Sequence, residues 1–360
     1  MTGTVSPVVD IIVPVHDDRR AVARAVSSVV QSSTTTTVIV TVVCHNIAED
    51  RIARALGPDL VNRIRLVSLQ DGIPSPAGPK NFAFAETSGD FVVFLDSDDT
   101  LESGAIDYWV DMAERDELAA VIAAERFATG ATIRTPPTRA GRTVNLHPIR
   151  DRLTYRTAPL GLLRRSVLEQ LDALFTPGLA TGEDQALTSR LWFSGRRIGF
   201  ARRGPAYLVG DDADVRVTSV ARSAGDEFRA IDELIRGDWF AAQPGDVRRT
   251  IITRIVRVHI FGGALARGSA DLWSDPDRVW FSSALVRLGL AAPGYERVLS
   301  VADRRFVDAL VAGGATADEV VALGRARRRF GSPATIVTRD IRGLLAIDGP
   351  LRFMIASALV

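Results

Sequence analysis

Three carboxylates, Asp96, Asp98 and Asp99, stand directly after a short apolar run. Two carboxylates separated by one residue can point at one hard cation, which takes further oxygen ligands from substrate phosphates. Aspartate is also common at turns and helix N-termini, so the cluster could do no more than cap the turn before a helix near Ser103. The spacing favours a cation site, and the capped turn is the alternative.

A second acidic pair, Glu183 and Asp184, follows Gly182 at the predicted start of a helix. A carboxylate in this position can act as a general base that draws a proton from a hydroxyl nucleophile. It can also serve the helix alone, by facing the positive end of the helix dipole. The residues by themselves leave both interpretations open.

A loop rich in glycine and proline spans residues 71–81 and leads into a predicted helix that contains Lys80 and Asn81. Backbone N–H groups at a helix start, together with a lysine side chain, are suited to binding phosphates. The alternative is a stiff surface loop that binds no ligand.

The elements that must position these residues alternate between strand and helix periods over the first hundred residues. Apolar β-branched runs, typical of strands buried on both faces, alternate with segments of helical spacing. Strands are predicted at 8–13, 38–43, 64–69 and 91–95, and helices at 22–30, 48–56 and 79–87. This pattern predicts an α/β fold with a mostly parallel sheet and helices on both faces, whose strand C-termini form one ligand-binding edge.

The rest of the chain is organised differently. Residues 126–160 contain four prolines and predict hairpins and loops, and helical segments are predicted at 165–174 and 182–194. After about residue 222 almost every segment has helical spacing. We therefore predict a first domain at 1–220 and a mainly helical region at 221–360.

Composition excludes several classes of protein. The 360 residues carry 44 Lys plus Arg against 43 Asp plus Glu, so the surface as a whole does not attract nucleic acid. The lone Cys44 cannot form an internal disulfide, which fits a reducing compartment. We expect no zinc cluster, no signal peptide and no membrane-spanning helix.

In this order, the segments resemble those of family 2 glycosyltransferases, which have the GT-A fold. Residues 11–17 resemble the opening strand and nucleotide loop of the family, and Gly78-Pro79-Lys80-Asn81 resembles its Ala-Arg-Asn segment, with lysine in place of arginine. Residues 88–99 resemble the strand that ends in the Asp-x-Asp motif, residues 161–166 the segment before the acceptor site, and Gly182-Glu183-Asp184 the base motif. The resemblance covers roughly residues 8–220.

This resemblance implies an inverting, metal-dependent glycosyltransferase. Asp96 and Asp98 would bind a nucleotide-sugar and its Mg²⁺ or Mn²⁺, with Asp98 the more direct metal ligand. The cation would stabilise charge on the leaving diphosphate. Asp184 would be the catalytic base that deprotonates the acceptor hydroxyl, and Glu183 would support the site.

The resemblance also implies a donor-binding site made largely of residues that follow the first strands. Its predicted members are Pro14, His16, Asp17, His45, Asn46, Asp71, Lys80, Asn81, Asp96 and Ser97. The chain departs from the family after the second strand, where Cys44-His45-Asn46-Ile47 replaces an Asp-Asp-Gly-Ser type of sequence. His45 or Asn46 could hydrogen-bond a base there, and a UDP-sugar is the default donor of the family.

Two other functions are weighed against this one. Residues 94–100 also fit the nucleophile motif of haloacid-dehalogenase-like phosphatases, and Asp211 and Asp212 would suit their later acidic motif. That family has a lysine between the two motifs, whereas no lysine follows Asp99 here, and its nucleophile strand usually opens the domain. The second alternative is a non-catalytic, glycosyltransferase-like module that binds a sugar-nucleotide, against which the two acidic motifs argue.

The remaining expectations concern partners. The acceptor would be a hydroxyl-bearing glycan, polymer or lipid-linked molecule, as in the synthesis of cell-wall or capsular material, and no nucleic acid is expected. The basic cluster at Arg325 and Arg327 to Arg329 is typical of a solvated helix face, but it could meet an anionic polymer or lipid head groups. We expect a cytoplasmic protein, with contact to the inner membrane face and self-association left open.

Overall fold

The computed structural model describes residues 7–32, 35–210, 222–269 and 271–360, and these divide into two compact units. The first unit contains the described residues up to Thr135, Gly141–His147, and those from Arg156 to the gap at 211–221. The second contains Pro136–Ala140, Pro148–Tyr155 and the described residues after that gap. The predicted boundary at 220–221 lies outside the described residues, as do Asp211 and Asp212 of the phosphatase alternative.

One side of the sheet in the first unit is parallel. Strand β1 (Val8–Val15) lies between β2 (Thr37–His45) and β4 (Phe91–Phe94), and β3 (Arg65–Leu69) pairs with β2. These are the four strands that the apolar β-branched runs predict. Their parallel pairing places all four carboxyl ends at one edge of the sheet.

The other side of the sheet is mixed. Strand β8 (Gly161–Arg164) runs antiparallel between β4 and β6 (Ala120–Phe127), and β6 pairs in parallel with β9 (Ile198–Val209). Two short strands, β5 (Thr100–Leu101) and β7 (Thr132–Ile133), pair antiparallel with β9 and β6. The sheet is therefore parallel over its first four strands and mixed beyond them. The strands from Thr100 onwards are not predicted from the sequence.

Helices pack on both faces of this sheet. They are α1 (Val22–Ser32), α2 (Glu49–Leu56), α3 (Pro58–Val61), α4 (Ala77–Ala85), α5 (Ala105–Arg115), α6 (Arg165–Gln170) and α7 (Gln185–Trp192). Val9 and Ile11 of β1 share a core with α1 and α5, whereas Asp10 on the opposite face pairs with Arg165 of α6 at 3.1 Å. Helices α6 and α7 are shorter than the predicted ones, and α7 begins three residues after Gly182, whose positive φ of 76° is not helical.

The second unit is mainly helical, as predicted. Its helices are α8 (Ala224–Glu227), α9 (Arg229–Arg236), α10 (Asp238–Ala241), α11 (Gly245–Ile255), α12 (Phe261–Ala266), α13 (Asp275–Ala291), α14 (Val301–Ala312), α15 (Ala317–Arg327), α16 (Pro333–Ile336), α17 (Ile341–Leu344) and α18 (Pro350–Ala358). A π-helical segment, Val256–Ile260, joins α11 to α12. Trp273 lies in the core, and Trp280 stacks on Phe228 with ring centroids 5.1 Å apart. Among the described residues, no helix has the length and apolar character needed to cross a membrane.

Candidate functional site

Polar residues that end or follow the parallel strands gather at the carboxyl edge of the sheet, as the βα pattern predicts. They are His16 and Asp17 after β1, His45 and Asn46 at the end of β2, Asp71 after β3, and Asp96 to Asp99 after β4. Helix α4 brings Lys80 and Asn81 to this group, and the segment before α7 brings Glu183 and Asp184. The carboxyl edge is where ligands of such sheets bind.

Lys80 connects the two acidic motifs. Its Nζ atom lies 3.2 Å from Oδ1 of Asp96 and 3.6 Å from Oε1 of Glu183. The ammonium group also lies 5.1 Å from the ring centroid of Phe175, close enough for a cation–π contact. Lys80 and Glu183 are buried, whereas the side chain of Asp96 is 49% exposed. The carboxylates after β4 and those before α7 therefore belong to one site.

The neighbouring carboxylates keep the ammonium group of Lys80 protonated. Burial alone would lower the pKa of the ammonium group, but the negative charges of Asp96, Glu183 and Asp184 outweigh it and raise the pKa. Burial raises the pKa of the Glu183 carboxyl, and the ion pair with Lys80 limits that rise. The site therefore holds a protonated ammonium group beside the half-exposed carboxylate of Asp96.

The three aspartates after β4 have different environments. Oδ2 of Asp98 forms a close ion pair with Nη1 of Arg20, and its backbone carbonyl accepts a hydrogen bond from Arg24 at 3.2 Å. Asp99 is buried and accepts hydrogen bonds from the phenol of Tyr207 at 2.6 Å and the backbone N–H of Gly210 at 2.8 Å. Burial, and then the charge of Asp96, raise the pKa of Asp99 to about 7.

Tyr207 fixes the turn that presents these carboxylates. Its hydroxyl donates to Asp99 and accepts from the backbone N–H of Asp96 at 3.1 Å. The N–H of Asp99 in turn donates to the carbonyl of Asp96 at 3.0 Å. These hydrogen bonds connect the turn after β4 to the end of β9. Asp99 therefore stabilises the turn rather than contributing to the open ligand-binding edge.

The carboxylate ligands at this edge suit a cation that binds together with a phosphate group. Among the described residues, no group of three or more His, Cys, Asp and Glu side chains is arranged to hold a metal ion by itself. A cation would rely on Asp96 and Asp98 and on oxygens of a bound diphosphate, which is a common arrangement for Mg²⁺. Asp96 is open to such a ligand, and at Asp98 the cation would share the carboxylate with Arg20.

The two carboxylates of the predicted base motif, Glu183 and Asp184, have different surroundings. Glu183 is buried against Lys80, and its carbonyl accepts a hydrogen bond from the N–H of Thr176 at 2.9 Å. Asp184 is half-buried and occupies the N-cap position of α7, but its side chain makes no capping hydrogen bond. Asp184 therefore forms no hydrogen-bonded cap, but it still stands at the positive end of the helix dipole, so its role as a base stays a prediction.

A compact cluster of His45, Asn46 and Asp71 stands where the chain departs from the family. Oδ1 of Asp71 lies 2.9 Å from Nε2 of His45 and accepts from Nδ2 of Asn46 at 3.2 Å. Asn46 has a left-handed φ of 55°, and its Oδ1 accepts from the N–H of Gly72 at 2.9 Å. Burial would raise the pKa of the Asp71 carboxyl, but hydrogen bonds from Ile73, His45 and Asn46 lower it below its usual range.

The glycine-rich loop packs directly on this cluster. A Cβ atom at Gly78 would lie 2.7 Å from Oδ2 of Asp71, so a larger residue there would displace the Asp71 side chain from its present position. The loop is therefore anchored at the carboxyl edge.

Other predicted donor-site residues have partners of their own. Asn81 donates to the carbonyl of Phe175 at 2.8 Å and accepts from its N–H at 3.1 Å, which fastens α4 to the segment before α7. Asp17 forms an ion pair with Arg19 at 2.6 Å, and that hydrogen-bonded pair lowers the pKa of Asp17 to about 2. Pro14 is half-buried at the end of β1, His16 is exposed, and Ser97 is buried in the turn after β4. Whether these residues touch a donor stays a prediction.

Sequence reasoning missed Arg20, Phe175 and Tyr207. Arg20 lies 78 residues before its partner Asp98, and Tyr207 lies 108 residues after Asp99. No local pattern marks such pairs, because they depend on how β9 and the loop after β1 are placed by the folded sheet.

Comparison with known proteins identifies similar chains. Residues 10–172 match the model of the family "Glycosyl transferase family 2". A poly(ribitol-phosphate) beta-N-acetylglucosaminyltransferase, TarS of Staphylococcus aureus (strain Mu50 / ATCC 700699), is 21% identical over 228 residues, which are 62% of this chain. The match spans 39% of the length of that relative.

Solved structures with a similar fold include fragments of the same relative. The crystal structure of S. aureus TarS 1–349 in complex with UDP-GlcNAc superposes with a TM-score of 0.71 at 17% identity, over 89% of this chain and 91% of that one. The complex with UDP gives a TM-score of 0.69 over the same shares. At this identity the likeness establishes the GT-A fold, which agrees with the fold that the sequence predicts.

Proposed function

We propose that the protein is an inverting, cation-dependent glycosyltransferase, because residues 10–172 match the model of glycosyl transferase family 2. It would move a sugar from a nucleoside diphosphate to a hydroxyl group of an acceptor. The observation that carries the proposal is the position of Lys80 between Asp96 and Glu183. This position joins a phosphate-binding group and a carboxylate pair in one site, and transfer from a diphosphate to a hydroxyl needs both.

Asp184 would be the general base. It accepts the proton of the acceptor hydroxyl while that oxygen attacks the anomeric carbon from the face opposite the diphosphate. The bond from the anomeric carbon to the diphosphate oxygen breaks, so the configuration inverts. Glu183 is buried against Lys80 and is less available to an acceptor, which favours Asp184 for this role.

Lys80, Asp96 and Asp98 would bind the donor diphosphate. The ammonium group of Lys80 keeps its proton, and its neighbour Asp96 is half-exposed, so the group can exchange an Asp96 oxygen for a phosphate oxygen. A divalent cation, Mg²⁺ or Mn²⁺, held by Asp96 and Asp98 would neutralise charge that develops on the leaving diphosphate.

The donor and acceptor proposals follow the similarity to TarS, whose structure was obtained with UDP-GlcNAc and whose name describes transfer to poly(ribitol phosphate). We take UDP-N-acetylglucosamine as the first donor and a hydroxyl-rich phosphate polymer as the first acceptor. The sugar of this donor is α-linked, so inversion would give a β-linked product. The cluster of His45, Asn46 and Asp71 would contact the base or its ribose.

A panel of UDP-, GDP-, dTDP- and ADP-sugars, with and without Mn²⁺, tests the proposal through thermal stabilisation and release of nucleoside diphosphate. A ligand that binds only the folded state raises the melting temperature. We expect the largest increase with a UDP-sugar and Mn²⁺, and release of UDP that depends on acceptor. Stabilisation without any turnover of donor, with or without acceptor, would instead support a non-catalytic binding module, and no response to any nucleotide would contradict both.

A further inference from the structure

The second unit ends in two helices that present large aliphatic side chains to water. Ile341 is 82% exposed and Leu345 is 66% exposed, at the start and just after the end of α17. Leu351, Ile355 and Leu359 are also exposed, and they belong to α18 and the residue that follows it. We call these five residues, with Arg342 and Arg352, the C-terminal face.

The spacing of these residues places them together. Leu351, Ile355 and Leu359 recur every four residues and so lie on one side of α18. The opposite side of α18 is fixed inward, because Phe353 packs on Tyr155 with ring centroids 4.8 Å apart. Arg352 donates from Nη1 to the carbonyl of Leu345 at 3.2 Å, which joins the end of α17 to the outer side of α18. The exposed aliphatic groups are therefore neighbours and not scattered single residues.

The same part of the chain carries an excess of positive charge. Residues 325–360 contain seven arginines but only two acidic residues, Asp340 and Asp348. Asp348 is buried beside Arg152, and Asp340 caps α17 by accepting from the N–H of Arg342 at 2.9 Å.

Five of these arginines are exposed and form no ion pair with any described residue: Arg325, Arg328, Arg329, Arg342 and Arg352. The basic cluster also lies close to the C-terminal face. The carbonyl of Arg329 accepts from Oγ1 of Thr335 in α16 at 3.2 Å, and α16 packs against α18.

We propose that the C-terminal face binds a membrane surface rich in anionic lipids. The five aliphatic side chains would enter the boundary between head groups and acyl chains, and the arginines would bind lipid phosphates. A soluble anionic polymer would pair with the arginines but leave the aliphatic groups in water. A second copy of the chain would cover the aliphatic groups but bring like charges together. A lipid surface is the partner that satisfies both features.

Sedimentation of the full chain with vesicles tests the proposal. One set of vesicles contains phosphatidylcholine alone, and the other contains equal parts of phosphatidylcholine and phosphatidylglycerol. We expect binding to the anionic vesicles only, weakened by added salt because head-group attraction is screened. Binding to neither set, or equal binding to both, would overturn the proposal.

Paired variants separate this face from exposed apolar residues in general. The double variant Ile341→Asp with Leu345→Asp should weaken vesicle binding at least about tenfold, since two aliphatic groups no longer leave water. Leu290→Asp is the matched control, because Leu290 on α13 is 76% exposed but outside the face. Arg328→Ala with Arg329→Ala should also weaken binding, by roughly fivefold for each arginine.

Two further measurements address the other occupants. If inorganic polyphosphate binds as tightly as the anionic vesicles and the double aspartate variant does not weaken vesicle binding, the face is a polyanion site and the proposal is wrong. If the wild type sediments as a dimer and the double variant as a monomer, a second copy covers the face and the proposal is also wrong. Far-UV circular dichroism confirms folding of each variant, and the milder pair Ile341→Ser with Leu345→Ser repeats the test if the aspartates disturb it.

Discussion

The ammonium group of Lys80 lies 3.2 Å from the carboxylate of Asp96, and both stand at the carboxyl edge of a parallel sheet. This pair joins the motif after β4 to Glu183, which precedes α7. The proposed function depends on that connection, because it would place the phosphates of a bound donor beside the proposed base.

Lys80→Ala should weaken binding of UDP much more than binding of uridine. An interaction between an ammonium group and a phosphate contributes about 1.5–3 kcal/mol, which corresponds to roughly a 10- to 100-fold change in affinity. Calorimetric titration with both ligands measures this difference. Lys80→Arg is the control that keeps the charge and should retain more affinity, although the geometry of the two groups differs. Equal losses for both ligands would favour a stiff loop that binds no phosphate.

Asp98→Asn should reduce cation-dependent binding of the donor while the fold persists. The substitution removes a charged oxygen ligand for a hard cation but keeps the shape of the side chain. Titration of UDP with and without Mn²⁺ gives the cation-dependent part of the binding free energy. Asp59→Asn on the exposed start of α3 is a control that changes the same charge elsewhere. If the Mn²⁺ dependence of Asp98→Asn equals that of the wild type, Asp98 is not a ligand.

Tyr207→Phe should loosen the turn that presents Asp96. The hydroxyl donates to the buried Asp99 and accepts from the N–H of Asp96, so its loss leaves the buried carboxylate and that N–H each short of a partner. The expected cost is about 1–3 kcal/mol in the free energy of unfolding, together with weaker Mn²⁺-dependent binding of UDP. Tyr108→Phe on α5, at an exposed tyrosine, is the matched control. An unfolding free energy and UDP affinity equal to those of Tyr108→Phe would show that the hydroxyl does not hold the turn.

His259 should make the protein less stable as the pH falls below about 6.5. Nη1 of Arg254 donates to Nε2 of His259 at 2.6 Å, and burial, followed by the charge of Arg254, lowers the pKa of His259 to about 3. Between these two values the unfolded chain binds the proton and the folded chain does not. The free energy of unfolding therefore loses up to ~1.4 kcal/mol per pH unit from this group.

Urea unfolding at several pH values from 7 to 4 measures this effect. His259→Gln keeps an acceptor for Arg254 but cannot titrate, so its stability should fall less steeply with decreasing pH than that of the wild type. His147→Gln, at an exposed histidine, serves as the control. Equal pH dependence in the wild type and His259→Gln would show that His259 is not buried in its neutral form.

Much of the carboxyl edge of the sheet could be predicted from the sequence, because each strand and the polar residues after it are close together in the chain. The apolar run before Asp96 identifies a strand, and the βα alternation brings the ends of β1 to β4 to one edge. The other half of the sheet could not be predicted in this way. Strand β9 is interrupted by Arg202, Arg203 and Pro205, and its pairing with β6 changes register between Ala123 and Ala124.

The side-chain partners of the site were also beyond local reasoning. The ion pair of Asp98 with Arg20, and the hydrogen bonds of Tyr207, join residues that only the folded sheet brings together. For Asn81 the motif predicts a donor-site residue, and the structure adds that its amide is hydrogen-bonded to the backbone of Phe175. Contact between Asn81 and a donor stays a prediction.

The most direct test of the account is the rate of sugar transfer by Asp184→Asn, measured in a single turnover at saturating donor. The asparagine keeps the size of the side chain but cannot accept the proton of the acceptor, and general base catalysis contributes about 10²–10⁴-fold. We expect a rate loss in that range, with nearly unchanged affinity for the donor and a protein that remains folded, because the Asp184 side chain makes no capping hydrogen bond to α7. Glu183→Gln measured alongside shows whether the neighbouring carboxylate carries the step instead. A normal transfer rate in Asp184→Asn would contradict the assignment of Asp184 as the base.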